Sequence, residues 1–406
     1  MSVNDTPSST RPDKKRGPGD RSGPGKLVRF VRFTAAATVG AVFVVIGHAL
    51  LPIDDFPWFD DFPTIESNAK HAEREGQAKL ADRDGLRTVN VAGGRIDLVY
   101  QADDFDVPAE TLAKWIHQSA VATSTYFGRF PVRRVVIRLR AVDGDDVTGG
   151  SATAAPDPRI TINIGRRTSA RTLLADSTAV HEMTHLAIPD HAERHLWFHE
   201  GIATYVETIA RAQSGLISPE VAWGELAYGM SSGVAEGGDE RGLDDTEIWD
   251  RRYWGGAIFF LMADVEIRQR TSGRLGLQDA LRGLQSGGGD LSSHWEFSRI
   301  LRTADDVVGA DVLQSLYRRM ARGGASGRID GDTLAQVWRD LGVVPTTRRS
   351  VRLDDGAPLA AARLAIIAKP SAPLLVEAPR KVLEGRTRQA RTSSWPVLMR
   401  QPEAVR

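Results

Sequence analysis

The string VHEMTHLAIP sets His181 and His185 four residues apart with Glu182 between them, and a second string, LWFHEGIATYVE, follows with Glu200. Positions i and i+4 of a helix share one face, so this spacing predicts a helix through 181–185 whose imidazoles converge on one point. Two converging imidazoles and a carboxylate are a donor set for a divalent metal ion. A catalytic zinc takes three protein ligands and leaves the fourth position to water, so His181 and His185 need a partner. Glu200 is the natural third ligand. Ile202, Tyr205, Val206 and Ile209 recur after it at helical spacing and predict a second helix that brings its carboxylate alongside the first. Glu182 can then reach the water.

Taken singly, each residue also has a plain structural reading. A histidine on an apolar helix face is commonly a hydrogen-bonded core residue, and a lone glutamate a solvated charge. It is the pairing of the two strings that separates the metal reading from that one. His191, His195 and His199 lie between the ligand segments and stay open to either reading, as rim residues or as groups that orient substrate or ligands.

The two strings resemble the metal-binding segments of the gluzincins, metallopeptidases whose zinc is held by two histidines and one glutamate. The resemblance covers roughly residues 90–345 and is strongest from Leu173 to Glu207 and from Tyr253 to Arg268. It implies a zincin-like peptidase domain, Zn2+ as cofactor, a peptide or protein substrate, His181, His185 and Glu200 as ligands, and Glu182 as general base. In RRYWGGAIFFLMADVEIRQR, Tyr253, Gly256 and Ala257 match the Tyr-x-x-Gly-Ala pattern that opens a helix downstream of the third ligand in aminopeptidase-N and glycyl aminopeptidase-like members. That match implies Tyr253 as a second catalytic group. A phenol beside a polarised carbonyl can donate a hydrogen bond to the developing oxyanion, worth about 3 kcal/mol. A tyrosine at a helix start can also be simply packed.

The departures from the pattern matter too. The Gly-x-Met-Glu-Asn string with which aminopeptidase-N members bind a free amine is missing, so their exopeptidase specificity does not carry over. Gly255 stands where a lysine is usual. Thermolysin-like members place an aspartate four residues beyond the glutamate ligand to orient a histidine; Thr204 stands there, and Asp176 is the candidate in its place.

The chain has 406 residues, 41% of them hydrophobic, enough for a sizeable core. Its 52 Lys and Arg balance 52 Asp and Glu, which gives no global attraction to nucleic acid. It contains no cysteine, which excludes disulfides, thiolate ligands and a cysteine nucleophile.

Residues 1–32 carry eight Lys or Arg against three Asp, and Phe33 to Leu51 then runs without an acidic or basic side chain apart from His48. As a helix that run is about 28 Å long, close to the hydrocarbon thickness of a bilayer. Basic residues before it and Asp54, Asp55, Asp60 and Asp61 after it predict a single-pass anchor with its amino end in the cytoplasm and the rest extracytoplasmic. A cleaved signal peptide and a buried helix compete with that reading.

The expected organisation is a disordered basic leader (1–32), a transmembrane anchor (33–51), a linker (52–85), a peptidase domain (86–345) and a largely disordered extension (346–406). The domain should have an α+β lobe to about residue 190 and a mostly helical lobe after it, with the metal in the cleft between them. The fold class expected is therefore α+β and zincin-like, preceded by one transmembrane helix. Glu66 to Asp84 reads as a helix-prone stretch, RTVNVAGGRIDLVYQ as a hairpin around Gly93 and Gly94, Pro108 to Phe127 as a helix, and Val132 to Val142 as a strand. RITINIG alternates Ile160, Ile162 and Ile164 with polar residues and is expected as an edge strand able to pair with an extended substrate. The metal helix should run from about Thr172 to Ala187, and short helices are expected at 277–284, 310–322 and 331–341.

Three functional classes fit these features. The first is a membrane-anchored zinc peptidase. The others are a zinc hydrolase of a non-peptide amide or ester, and a non-catalytic binding module that keeps the fold. A purely structural metal site is disfavoured, because such sites are usually closed by four ligands. No specific protein partner is readable.

Overall fold

A computed structural model gives the structure of the chain and describes residues 81–370 apart from 84–85, 102–103, 155–156, 235–240, 322–328 and 348. The leader, the apolar run 33–51, the linker to residue 80 and the tail from residue 371 lie outside the described residues. So does most of the helix expected over 66–84, whose last part is instead a short strand, β1 (Ala81–Arg83). All described residues belong to one compact unit.

The first half is a six-stranded mixed sheet in the order β1-β2-β3-β4-β6-β5. β2 (Leu86–Val91) and β3 (Gly94–Val99) form the expected hairpin, turned at Ala92 and Gly93, where Gly93 takes a positive φ of 87°. β3 continues through α1 (Ala109–Phe127) to β4 (Arg134–Val142), which lies parallel to it. Pro108, with its fixed φ, precedes α1, and Gly128 ends it in the left-handed conformation.

The chain then forms β5 (Val147–Thr153) and β6 (Arg159–Gly165). β6 is RITINIG, and it is not an edge strand. It sits inside the sheet, parallel to β4 and antiparallel to β5, so among the described residues the edge on that side is β5, VTGGSAT. The alternation in β6 reports one buried face and says nothing about edges.

On that buried face, Ile96, Leu98, Val135, Ile137, Leu139, Ile160, Ile162 and Ile164 pack against Leu112, Trp115 and Ile116 of α1. Each such side chain contributes about 1.5–3 kcal/mol relative to exposure.

The second half is helical and surrounds a second core. The metal helix expected over 172–187 is two helices, α2 (Ala170–Ala175) and α3 (Thr178–His185). Asp176 makes the break: its Oδ1 accepts the backbone N–H of Thr178 at 2.8 Å, which starts α3 afresh. A 3-10 turn (Glu193–His195) leads into α4 (Leu196–Gln213), followed by α5 (Pro219–Met230). A π-helical turn (Arg251–Gly255) opens α6 (Gly256–Arg270), and α7 (Leu277–Ser286), α8 (Phe297–Val308), α9 (Leu313–Met320) and α10 (Gly331–Leu341) follow.

Regular structure runs past the boundary expected at residue 345. β7 (Val343–Pro345) and β8 (Val351–Leu353) pair, and α11 (Ala360–Ile367) packs on α4 and α6. Gln213 Nε2 donates to the Ile366 carbonyl at 2.8 Å, and the fully buried Arg363 donates to the Gly342 carbonyl at 3.0 Å. Among the described residues no helix is long and apolar enough to cross a membrane.

The short helix α3 joins the two cores. Ala179 and Met183, with Leu186 just beyond its end, belong to the sheet-side core, whereas Val180, Ala187 and Ile188 belong to the helical one. All eight residues of α3 are buried. His181, Glu182 and His185 are therefore fixed by packing on both sides.

Candidate metal centre and active site

α3 and α4 pack against each other, and this brings Glu200 to the two histidines. Glu200 Oε2 lies 3.3 Å from His181 Nε2 and 3.7 Å from His185 Nε2. One ligand atom from each of the three residues falls within 4.8 Å of the others, and all three residues are buried.

His181 is oriented by Glu207, one further residue of α4, whose Oε2 is 2.9 Å from Nδ1 and whose Oε1 accepts from Ser177 Oγ at 3.3 Å. Holding Nδ1–H in this way selects the tautomer whose Nε2 lone pair can face a metal ion. Asp176 does not perform this task, because its carboxylate is engaged with Thr178.

Several buried polar atoms here have no hydrogen-bond partner: both Glu182 oxygens, both His185 nitrogens, Glu200 Oε1 and the Tyr253 hydroxyl. A dry core does not leave so many polar atoms unpaired, whereas a divalent cation and a polar substrate would satisfy them. The donor set is two imidazoles and a carboxylate without thiolate, which suits zinc.

The buried groups also shift one another's pKa values. Burial lowers the pKa of His181, but the carboxylates of Glu200 and Glu207 outweigh it and raise the imidazole well above its ordinary value. His185 goes well below its ordinary value, through burial and the neighbouring His181. Burial, helped by Glu200 and Glu207, pushes the Glu182 carboxyl up to about 8.

β5 closes over Glu182. A Cβ placed on Gly150 would lie 2.7 Å from Glu182 Cγ, so only glycine lets the strand approach the carboxylate this closely. The register shifts between Val147 and Gly149, and Gly149 has a φ of 131°, so a bulge bends the edge beside the site.

Tyr253 comes from the π-helical turn. Its ring stacks on His181 at 6.0 Å between centroids and 18° between planes. Burial, with the Glu200 carboxylate next, raises its pKa and keeps the phenol protonated as a donor. Two glycines set its position. A Cβ on Gly201 would lie 2.4 Å from the Gly256 backbone, and one on Gly256 would lie 2.4 Å from the Trp197 carbonyl, so α4 and α6 cross backbone to backbone.

No protein-family model matches the chain, and neither does any curated protein. Solved structures similar to it include aminopeptidases and M1 zinc metallopeptidases. An aminopeptidase N family protein from Idiomarina loihiensis matches at 16% identity and a TM-score of 0.48, covering 67% of this chain and 51% of that one. An M1 zinc metallopeptidase from Deinococcus radiodurans matches at 18% identity and a TM-score of 0.39, covering 60% and 52%. Aminopeptidase A from Legionella pneumophila, in complex with aspartic acid, matches at 13% identity and a TM-score of 0.38, covering 60% and 28%. The chain thus spans about half the length of the first two.

The three further histidines divide. His199 packs 5.5 Å from the His185 ring and donates through Nε2 to the Pro189 carbonyl at 3.3 Å; burial lowers its pKa to about 3, so it is neutral. His191 lies behind it, 4.5 Å from the His199 ring. His195 is tied away from the cluster, with Nδ1 2.7 Å from Asp244 Oδ1 and its ring 3.8 Å from Phe297. Glu207 and β5 were not legible as site elements. Glu207 had one signal, since it sits two helical turns after Glu200 on the same face of α4.

Proposed function

We propose that this chain is a zinc-dependent peptidase, with His181, His185 and Glu200 as metal ligands, Glu182 as general base and Tyr253 as oxyanion donor. The observation that carries the reading is the convergence of three ligand atoms beside a buried carboxylate, Glu182, that has no partner of its own. Zinc bound there would supply Lewis-acid chemistry, acidifying water and polarising the scissile carbonyl.

The protein's own groups do the rest. Glu182, held between β5 and α3, takes the proton of the attacking water on a carboxylate oxygen and later gives it to the leaving amine. The Tyr253 hydroxyl donates to the oxygen that gains negative charge. Glu207 keeps His181 in the tautomer that presents Nε2. The free edge of β5 offers backbone N–H and C=O groups to an extended peptide, the part that the sequence assigned to RITINIG.

We also propose that Phe33 to Leu51 anchors the chain by a single pass, with the catalytic region extracytoplasmic; its length, its lack of charge and the basic leader support this. Accessibility of a carboxy-terminal tag to protease added outside intact cells tests that topology, and protection of the tag would contradict it.

For the activity, the purified full chain is assayed on a fluorogenic peptide library with and without a chelator. Chelator-sensitive cleavage that Glu182→Gln abolishes is the expected result. Equal cleavage by Glu182→Gln would contradict the mechanism, and hydrolysis of esters or non-peptide amides alone would contradict the peptidase.

A further inference from the structure

Among the described residues, three large apolar side chains stand well out into solvent: Ile248 at 44%, Trp249 at 41% and Leu364 at 49% exposure. Leu364 is a single residue on α11, and an isolated exposed leucine is ordinary. Ile248 and Trp249 are neighbours, and they immediately precede the turn that carries Tyr253. The indole of Trp249 lies 4.9 Å from the Tyr253 ring, and the Tyr253 ring stacks on His181. Three rings therefore step from solvent to a metal ligand.

The backbone at Ile248 is held in place. Ile248 N donates to Thr246 Oγ1 at 3.3 Å, and Arg252 donates twice, through Nε to the Thr246 carbonyl and through its backbone N to the Ile248 carbonyl, each at 3.2 Å. Thr246 itself is buried. An indole carried by a held backbone and set against the Tyr253 ring loses little conformational freedom when it receives a ligand, which is what a binding platform requires. Its face recognises aromatic and large aliphatic groups by stacking, by edge-to-face contact and by burial. β5 meets the cluster at Glu182, and Trp249 reaches it through the Tyr253 ring, one ring removed from His181.

From this we infer that Trp249, with Ile248 beside it, is the specificity-determining platform for a large apolar or aromatic substrate side chain adjacent to the scissile bond. The inference rests on the peptidase reading above. No catalytic step is assigned to Trp249.

The test compares the full chain with Trp249→Ala and Trp249→Phe on paired fluorogenic peptides that differ only by phenylalanine or alanine at each position flanking the cleaved bond. At one of these positions the parent should prefer phenylalanine. Trp249→Ala should lower the ratio of kcat/KM for the two peptides by about tenfold, and Trp249→Phe should restore most of it. An unchanged ratio would overturn the inference. So would an equal fall for both peptides, which would mean that the indole only buttresses Tyr253.

Calorimetric binding of the same peptides to zinc-loaded Glu182→Gln protein, with and without Trp249→Ala, separates this inference from the reading beneath it. Tighter binding of the phenylalanine peptide that depends on Trp249, in a protein whose parent cleaves nothing, would sink the peptidase and leave the platform standing. Binding indifferent to Trp249 would sink the platform alone.

Discussion

Two buried constellations of histidine and carboxylate lie on either side of the start of α4, and they differ in one respect. At Asp244 every acceptor is used: Oδ1 takes His195 Nδ1 at 2.7 Å and Trp197 Nε1 at 2.8 Å, and Oδ2 takes Tyr317 OH at 2.7 Å and Arg194 Nη2 at 3.2 Å. At Glu182 neither oxygen has a partner. The pKa shifts follow. Burial pushes Asp244 up, but the hydrogen bonds from His195, Trp197 and Tyr317 outweigh it and hold the carboxyl below its ordinary value, whereas burial dominates at Glu182 and pushes it up to about 8. A satisfied buried carboxylate is scaffolding; an unsatisfied one, beside convergent imidazoles, is held ready for something the chain does not itself supply.

The largest expected effect comes from the unsatisfied side. Glu182→Gln should lower kcat by about a thousandfold or more while zinc content stays the same, and it should cost no folding stability, because no hydrogen bond is lost. A denaturant melt that shows a clear loss of stability would mean that Glu182 is structural, and the contrast with Asp244 would collapse.

Asp244→Asn should behave in the opposite way. It removes a charge that four donors share and should cost about 2–3 kcal/mol of stability by denaturant titration, with zinc content retained in the folded protein. Loss of zinc at full stability would move Asp244 into the site.

Glu207→Gln lies between the two. It should weaken zinc binding by about 10–100-fold in competition with a chromogenic chelator, because His181 loses the carboxylate that fixes its ring. Unchanged affinity would remove Glu207 from the metal centre.

The smallest effect is in pH. Because Asp244 has a folded-state pKa below its unfolded value of about 3.9, its contribution is fully present above that value and is lost as pH falls through the folded one. The stability gap between the parent and Asp244→Asn should therefore be constant at neutral pH and narrow in acid, over the range where both stay folded. A gap that widens on acidification would reverse the assignment.

How much of this was legible in the sequence differs with the kind of signal. The β2–β3 hairpin, α1, the strand β4 and the helical half follow from periodicity, as in RTVNVAGGRIDLVYQ and in α1. The structure brings together His181, His185 and Glu200, which the sequence could give only as spacings. Beyond β1 and the structure past residue 345, four features around the site escaped. β5 carries Gly149 and Gly150, which lower strand propensity, and that is the very composition that lets it touch Glu182. β6 alternates like an edge strand but is interior, since alternation marks a face and not a position in the sheet. The break between α2 and α3 has neither glycine nor proline and depends on the Asp176 side chain. Glu207 is one glutamate on a long helix and acquires meaning only when His181 is seen beside it. What periodicity encodes was readable; what depends on contacts between distant segments was not.

The most direct test of the central claim is the zinc content, by elemental analysis, of the purified full chain beside Glu200→Ala. Three convergent ligands predict about one zinc per chain in the parent and its loss in the variant. A parent chain that is folded by circular dichroism, supplied with zinc and found to hold none would contradict the metal centre, and with it the peptidase.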